Sequence, residues 1–311
     1  MHSSVVLLVL SFIAAALAQD CQPCATMKWA TCDGAGCPCT LLVGENVKQS
    51  VNCSALVPKC FLMKAEMYRA KKGLSTRSIS GKPTEHAFVD NDGIYDPECE
   101  NTGIFKAKQC NNTDTCWCVN SAGVRRTDKG DKNLKCEKLV DTYWIRTELK
   151  HKDVQADLDA NILKSAIADA IQKRYNLDKK LVQKVEYDKN SKTIVVDLQK
   201  EKNGKEDLAT VAYYMEKDIK ILPLFTSESK LTPRIGNQDL DFSNILIYYV
   251  DSDPPTFTMK RLTGGVIAVI VVVILAVVAG LVVLYLARRR ERANYQKTQV
   301  REMDEMQKSL S

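Results

Sequence analysis

The sequence predicts a multidomain α+β protein held by one transmembrane helix. It comprises two small disulfide-rich modules, a cysteine-free β-α-β-β-α-β domain and one apolar span. Three observations predict this. All twelve cysteines of the 311-residue chain fall between Cys21 and Cys136. The stretch 137–253 has none, and its apolar residues switch between a spacing of two and a spacing of three to four. The 24 residues from Gly264 to Ala287, "GGVIAVIVVVILAVVAGLVVLYLA", carry no charge.

The chain opens with "MHSSVVLLVLSFIAAALAQD", an apolar run from Val5 to Leu17 closed by Ala16-Leu17-Ala18. This A-x-A ending marks residues 1–18 as a secretory signal peptide, with the mature chain starting at Gln19. The run is too short to cross a hydrocarbon core of ~30 Å, which argues against an uncleaved anchor. The second run, 264–287, is long enough at ~1.5 Å per residue. It is apolar on every face, unlike the core helix of a soluble domain. "RRRER", Arg288 to Arg292, follows it directly and marks the cytoplasmic side. The expected topology is single-pass type I at the plasma membrane: 19–263 outside, including a juxtamembrane stalk 254–263, and a cytoplasmic tail 288–311.

That topology decides what the cysteines do. The cell exterior is oxidising, and an even count there reads as a disulfide framework. Zinc needs thiolates or histidines, and the only histidines are His2, His86 and His151. No metal or cofactor is expected. "CQPC", Cys21 to Cys24, lacks the preceding strand and following helix of a redox motif. The cysteines divide into a dense set, Cys21, Cys24, Cys32, Cys37, Cys39 and Cys53, in a module spanning 19–59. The second set, Cys60, Cys99, Cys110, Cys116, Cys118 and Cys136, spans 60–136. Six cysteines allow 15 pairings, and spacing does not choose among them.

The cysteine-free domain, 137–253, reads from periodicity. "YWIRTEL", Tyr143 to Leu149, alternates as a strand. Asp157 to Tyr175 carries Leu158, Ile162, Ala166, Ile167, Ala170 and Ile171 at helical spacing. "LVQKVEY" and "TIVVDL" flank "DKNSK" as a hairpin. Asp207 to Ile219 is a second helix with Leu208, Val211, Ala212, Met215 and Ile219 inward. "ILIYYV", Ile245 to Val250, is the last strand. This order is that of a ferredoxin-like sheet.

Catalysis fails on inventory. His86 sits in polar "GKPTEHAF" and His151 ends a strand in "LKHK". Neither stands in a nucleophile elbow, a metal spacing or a phosphate loop. Asp157 and Asp159 lie at a helix start, where carboxylates oppose the dipole. The net charge of +6 is modest. Its clusters are "RAKK", Arg69 to Lys72, and the inner basic block, which suits anionic lipid. Location excludes nucleic acid as a partner of the outer part. In the tail, Tyr295 has Thr298 three places on and the terminus is "SLS", which departs from the common sorting and PDZ motifs.

"YDPEC", "GIFKAKQC", "CWCV" and "SAGVRRT" follow one another from Tyr95 to Thr127. This run resembles the thyroglobulin type-1 repeat. The resemblance implies Cys60–Cys99, Cys110–Cys116 and Cys118–Cys136, with Trp117 packed against the bonds. "LMKAEM", "NDGIYDP", "TYWI", "ELKHK", "VAYYMEKD", "LIYYVD" and "GVIAVIVVV" extend a wider resemblance, over nearly the full length, to the epithelial cell adhesion molecule family. A sibling, trophoblast cell-surface antigen, shares the plan. The resemblance implies Cys21–Cys37, Cys24–Cys53 and Cys32–Cys39 in the first module. It also implies an ectodomain homodimer, claudin-type or other membrane partners, and a lateral or basolateral epithelial surface with cell junctions. The third domain resembles SEA domains. Self-cleaving members carry Gly-Ser where this chain has Asn190-Ser191-Lys192, so no self-cleavage is expected.

Several modification sites follow. Asn111 in "NNT" and Asn52 in "NCS" are sequons. "YRAKKGLSTRSISGKPTEH", Tyr68 to His86, shows no sustained helical or strand pattern and reads as an exposed loop open to trypsin-like surface proteases. Lys71, Lys72 and Arg77 offer P1 side chains, and the preferred cut follows Arg77. Val271 to Val273 and Val277–Val278 lower helix propensity in the span. With the resemblance, this suggests intramembrane proteolysis, while Gly264/Ala268 and Ala276/Gly280 suit helix packing. Two function classes remain: a non-catalytic cell-surface adhesion and signalling glycoprotein, and a thyroglobulin-repeat inhibitor of cysteine proteases.

Overall fold

The computed structural model describes residues 21–74, 95–111, 114–154, 158–202, 204–220, 222–227, 229–257 and, at least as backbone, 264–309. The signal peptide and Arg77 lie outside the described residues. The chain divides into two compact units after Phe257.

The first module is a three-stranded antiparallel sheet, β1 (Ala30–Cys32), β2 (Cys39–Gly44) and β3 (Val47–Ser50), in the order β1-β2-β3. "DGAG" makes the first turn because Gly34 and Gly36 both take positive φ, at 82° and 79°. The turn sets the register Cys32↔Cys39, so those two cysteines face each other across the strands.

Next comes α1 (Lys59–Lys71), a helix that periodicity does not reveal. Cys60, Phe61, Leu62, Met63, Ala65 and Glu66 are all buried. Apolar residues in a continuous run leave no stripe to detect, because the helix is packed on more than one side. It corrects the reading of Tyr68 to His86 as a loop throughout: Tyr68 to Lys71 complete the helix, and Lys71 Nζ pairs with Asp96 at 3.0 Å.

The thyroglobulin-like part adds a small hairpin, β4 (Lys108–Cys110) and β5 (Cys116–Cys118), with Cys110 opposite Cys116. Buried Gln109 stitches it down. Its Oε1 accepts from Glu98 N at 2.7 Å, and its Nε2 donates to Glu98 O and Lys106 O at 2.9 and 2.7 Å. Gly123, at φ 77°, lies where a Cβ would sit 2.6 Å from the Phe105 ring. Only glycine fits both demands.

The third domain holds β6 (Thr142–His151), α2 (Ala160–Tyr175), β7 (Val182–Asp188), β8 (Thr193–Gln199), α3 (Leu208–Lys220), a short pair β9 (Arg234–Ile235) and β10 (Gln238–Asp239), and β11 (Phe242–Asp251). The main sheet is antiparallel throughout, in the order β11-β6-β8-β7. Ile145, Thr147, Leu149, Ile194, Val196, Leu198 and Ile245 point to a core completed by Leu163, Ile167 and Ile171 of α2 and by Val211, Ala212 and Met215 of α3. This is the ferredoxin-like plan.

Boundaries shift in two places. Asp157 lies outside the described residues, and α2 begins only at Ala160. Asp159 ends the extended segment and accepts from Asn161 N and Ile162 N at 2.7 and 3.0 Å, so it caps the helix. Leu158 therefore precedes the helix, Ile162 is 45% exposed, and Leu163 takes the core position instead. The last strand also extends beyond Ile245 to Val250 at both ends.

The second unit contains α4 (Gly264–Ser309). Residues Ile267–Arg290 within it are long and apolar enough to cross a membrane, and the helix continues through the basic block.

Candidate functional site

Among the described residues, His151 and the cysteines are used structurally. His151 is buried at the end of β6, with Nδ1 2.6 Å from Lys152 O and Nε2 3.2 Å from the Tyr187 hydroxyl. His86 lies outside the described residues. The sulfurs of Cys32, Cys39 and Cys53 lie within 4.8 Å of one another, a grouping that could suggest a metal. Each is committed to a disulfide and has no thiolate to offer.

The six bonds are Cys21–Cys37, Cys24–Cys53, Cys32–Cys39, Cys60–Cys99, Cys110–Cys116 and Cys118–Cys136, and no cysteine is free. Trp117 is buried and meets Tyr95 edge-on, with ring centroids 5.4 Å apart. Burial pushes the Tyr95 hydroxyl well above its ordinary pKa, and that hydroxyl donates to Gly123 O at 3.0 Å. Asn52 is exposed. Its Oδ1 accepts from Ser54 N at 3.0 Å and from Ser54 Oγ at 2.6 Å, so the sequon is folded on itself. Asn111 is exposed at the end of β4, while the remaining positions of its sequon lie outside the described residues.

Two features of residues 21–257 remain as candidates. The first is the seam between α1 and the third domain. Glu66, 1% exposed, accepts on Oε2 from the Tyr213 hydroxyl and from Lys217 Nζ. Lys59 Nζ donates to the Tyr249 hydroxyl at 3.2 Å and lies 4.5 Å from that ring's centroid. Burial lowers the Lys59 pKa to about 8, against opposing attraction from Glu216 and Asp207. Lys59 N donates to Thr210 Oγ1 at 2.8 Å, and the Tyr214 hydroxyl donates to Thr26 O at 3.0 Å. Lys28 N to Leu224 O and Thr226 N to Ala25 O, at 2.8 and 3.1 Å, join the first module to the same domain.

The second is the outer face of the main sheet, opposite the helices. Trp144, Arg146 and Glu148 of β6 stand beside Val250, Tyr248 and Leu246 of β11. Arg146 grips Asp197 of β8 through two bonds of 2.8 and 3.0 Å, and this pair holds the Arg146 guanidinium above its ordinary pKa. Tyr248 is 48% and Leu246 41% exposed. Trp144 Nε1 is buried and has no acceptor among the described residues. The face is mixed in polarity and bounded by the edge strand β11, a surface suited to contact with another protein. Sequence reasoning missed Glu66, Lys217 and Arg146–Asp197, because nothing local marks partners 151 and 51 residues apart.

A family model described as "EPCAM/Trop-2, C-terminal" matches residues 142–251, and the thyroglobulin type-1 repeat matches 69–136. The chain is 44% identical to the epithelial cell adhesion molecule of Mus musculus, over 98% of this chain and 96% of that protein. It is 46% identical to the Homo sapiens protein of that name, over 88% and 85%. It is 43% identical to the Homo sapiens protein named tumor-associated calcium signal transducer 2, over 94% and 91%.

Proposed function

The chain belongs to the EPCAM/Trop-2 family, and from that premise we propose that it is a type I epithelial cell-surface glycoprotein that mediates adhesion and signalling by ectodomain self-association. Its relatives are named as adhesion molecules and signal transducers rather than enzymes, and the one helix among the described residues long and apolar enough to cross a membrane supports a single-pass membrane protein. The observation that carries the reading is collinearity. One chain holds the thyroglobulin repeat, the family's C-terminal domain and the apolar helix, in that order. The outer sheet face around Leu246 and Tyr248 supports a symmetric homodimer contact. Claudin-type membrane partners, surface and intramembrane proteases, and a lateral or basolateral position complete the proposal.

Crosslinking on cells that express the full chain, alone and in mixed populations, tests it. A crosslinked species of twice the chain's mass is expected. Leu246→Glu with Tyr248→Glu should reduce its yield at least tenfold at unchanged surface expression. A chain that never crosslinks overturns self-association, and a double variant that crosslinks normally overturns the assigned face.

A further inference from the structure

β11 ends at Asp251, and the chain after it stays against the thyroglobulin repeat. Asp251 Oδ1 accepts from Asn120 Nδ2 and Thr142 Oγ1, both at 2.8 Å, and its Oδ2 accepts from Arg126 Nε at 2.8 Å. Both side chains of this ion pair are nearly nine-tenths buried or more. Arg126 Nη2 then donates to the backbone oxygens of Asp253 and Pro254. Thr256 N donates to Arg126 O at 2.9 Å, and Thr127 and Thr256 form a parallel bridge. The Asp253 carboxylate lies 2.7 Å from Lys138 Nζ, and the Arg125 guanidinium lies 5.6 Å from the Phe257 ring centroid.

We propose that the thyroglobulin repeat carries a binding site for an extended, acidic, proline-bearing peptide, occupied by the chain's own segment Asp251–Phe257. Pro254 and Pro255 suit such a site. They lack N–H groups that would go unpaired and fix the backbone in advance, which lowers the entropy lost on docking. Arg126 reads the carbonyls that remain, while Thr127 adds a single isolated parallel bridge to Thr256. The two acidic side chains meet a buried arginine and an exposed lysine, so one contact is desolvated and one is not.

The site has a consequence at the surface. Proteases bind substrates in extended form with free backbone groups. With Thr256 N and the Asp253 and Pro254 carbonyls bonded to the repeat and Ser252 N bonded to Asp141 O, the segment is withheld from them. The repeat thus shields the stretch between the last strand and the second unit. This consequence rests on the proposed proteolysis, whereas the binding site does not.

The test uses the full-length chain in detergent micelles. Amide hydrogen exchange on the unaltered protein should show Thr256 exchanging at least tenfold more slowly than an unstructured amide. Limited digestion with a protease of low specificity, mapped by mass spectrometry, should give no early cut within 252–257. Arg126→Gln should accelerate cutting there, and exchange at Thr256, at least tenfold, with the six disulfides and the amide protection of β6 and β8 unchanged. Unretarded exchange at Thr256, or a wild-type cutting rate equal to that of the variants, overturns the proposal. If Arg126→Gln does not fold, Arg126→Lys, which keeps the charge but not the fork of donors, and the wild-type exchange decide. Neither readout requires shedding on cells, so a failure of the site and a failure of the proteolytic reading give different results.

Discussion

Residues 21–136 and 142–251 solve the same problem with opposite means. The first region spreads six disulfides through short strands, one helix and long connections, and its largest sheet has three short strands. The second has no cysteine and buries a two-layer core between four strands and two helices. Small segments bury too little apolar surface to offset chain entropy, so cross-links lower the entropy of the unfolded chain instead. The comparison teaches that the two regions depend on different conditions: one on redox state, the other on packing. Their seam depends on a third, the pairing of buried charges.

The largest effect should come from reduction. Each bond contributes about 2–4 kcal/mol. In the full chain in micelles, reductant should release the amides of β1 to β5 to fast exchange while those of β6 and β8 stay protected. If both regions lose protection at the same reductant concentration, the contrast between them fails.

A smaller effect should follow at the seam. Removing Glu66 leaves Lys217 buried without its carboxylate, and breaking such a pair costs about 3–5 kcal/mol. Glu66→Ala should lower the chemical unfolding midpoint accordingly. Glu66→Met combined with Lys217→Met should recover part of the loss, because two apolar groups need no pairing, while the Tyr213 hydroxyl is left without its acceptor. A single variant as stable as wild type would show that the seam carries little.

The smallest effect is a pH dependence. Burial lowers the Lys59 pKa to about 8 from its ordinary 10.5. The folded state therefore disfavours the charged form. Its contribution to stability is present above pH 10.5 and is lost as pH falls towards 8, reaching about 3 kcal/mol across the window. Unfolding free energy should rise between pH 8 and pH 10, and Lys59→Met should flatten that rise. Glu216, Asp207, Lys217, Tyr213 and Tyr249 face the same group and remain in the variant. An equal rise with and without Lys59 would assign it elsewhere.

Legibility in the sequence follows the same division. The third domain was readable because each element packs on one face. Ile167 and Ile171 recur at helical spacing, and Ile145 and Leu149 at strand spacing. Ile162 misled because the buried stripe runs Leu163, Ile167 and Ile171 at a spacing of four, which leaves Ile162 beside it and exposed. α1 was illegible because it packs on more than one side. The cysteines announced a framework without a pairing. In the structure the strand registers Cys32↔Cys39 and Cys110↔Cys116 place two of the pairs directly opposite one another. Arg126 and Asp251 lie 125 residues apart, and a contact of that separation leaves no local pattern.

The Arg126 clasp also has a mechanical side. On the proposed adhesive function, tension arriving along the chain from the second unit would enter residues 21–257 at Phe257. Along the chain, the first bonds that oppose it are those of Thr256 and Arg126, then the Asp251 ion pair, and only then the ladder of β11. These contacts lie close together along the segment, so several must stretch at once before any strand peels. Under such a load the sheet would be spared small forces, with the thyroglobulin repeat acting as strain relief for the last strand.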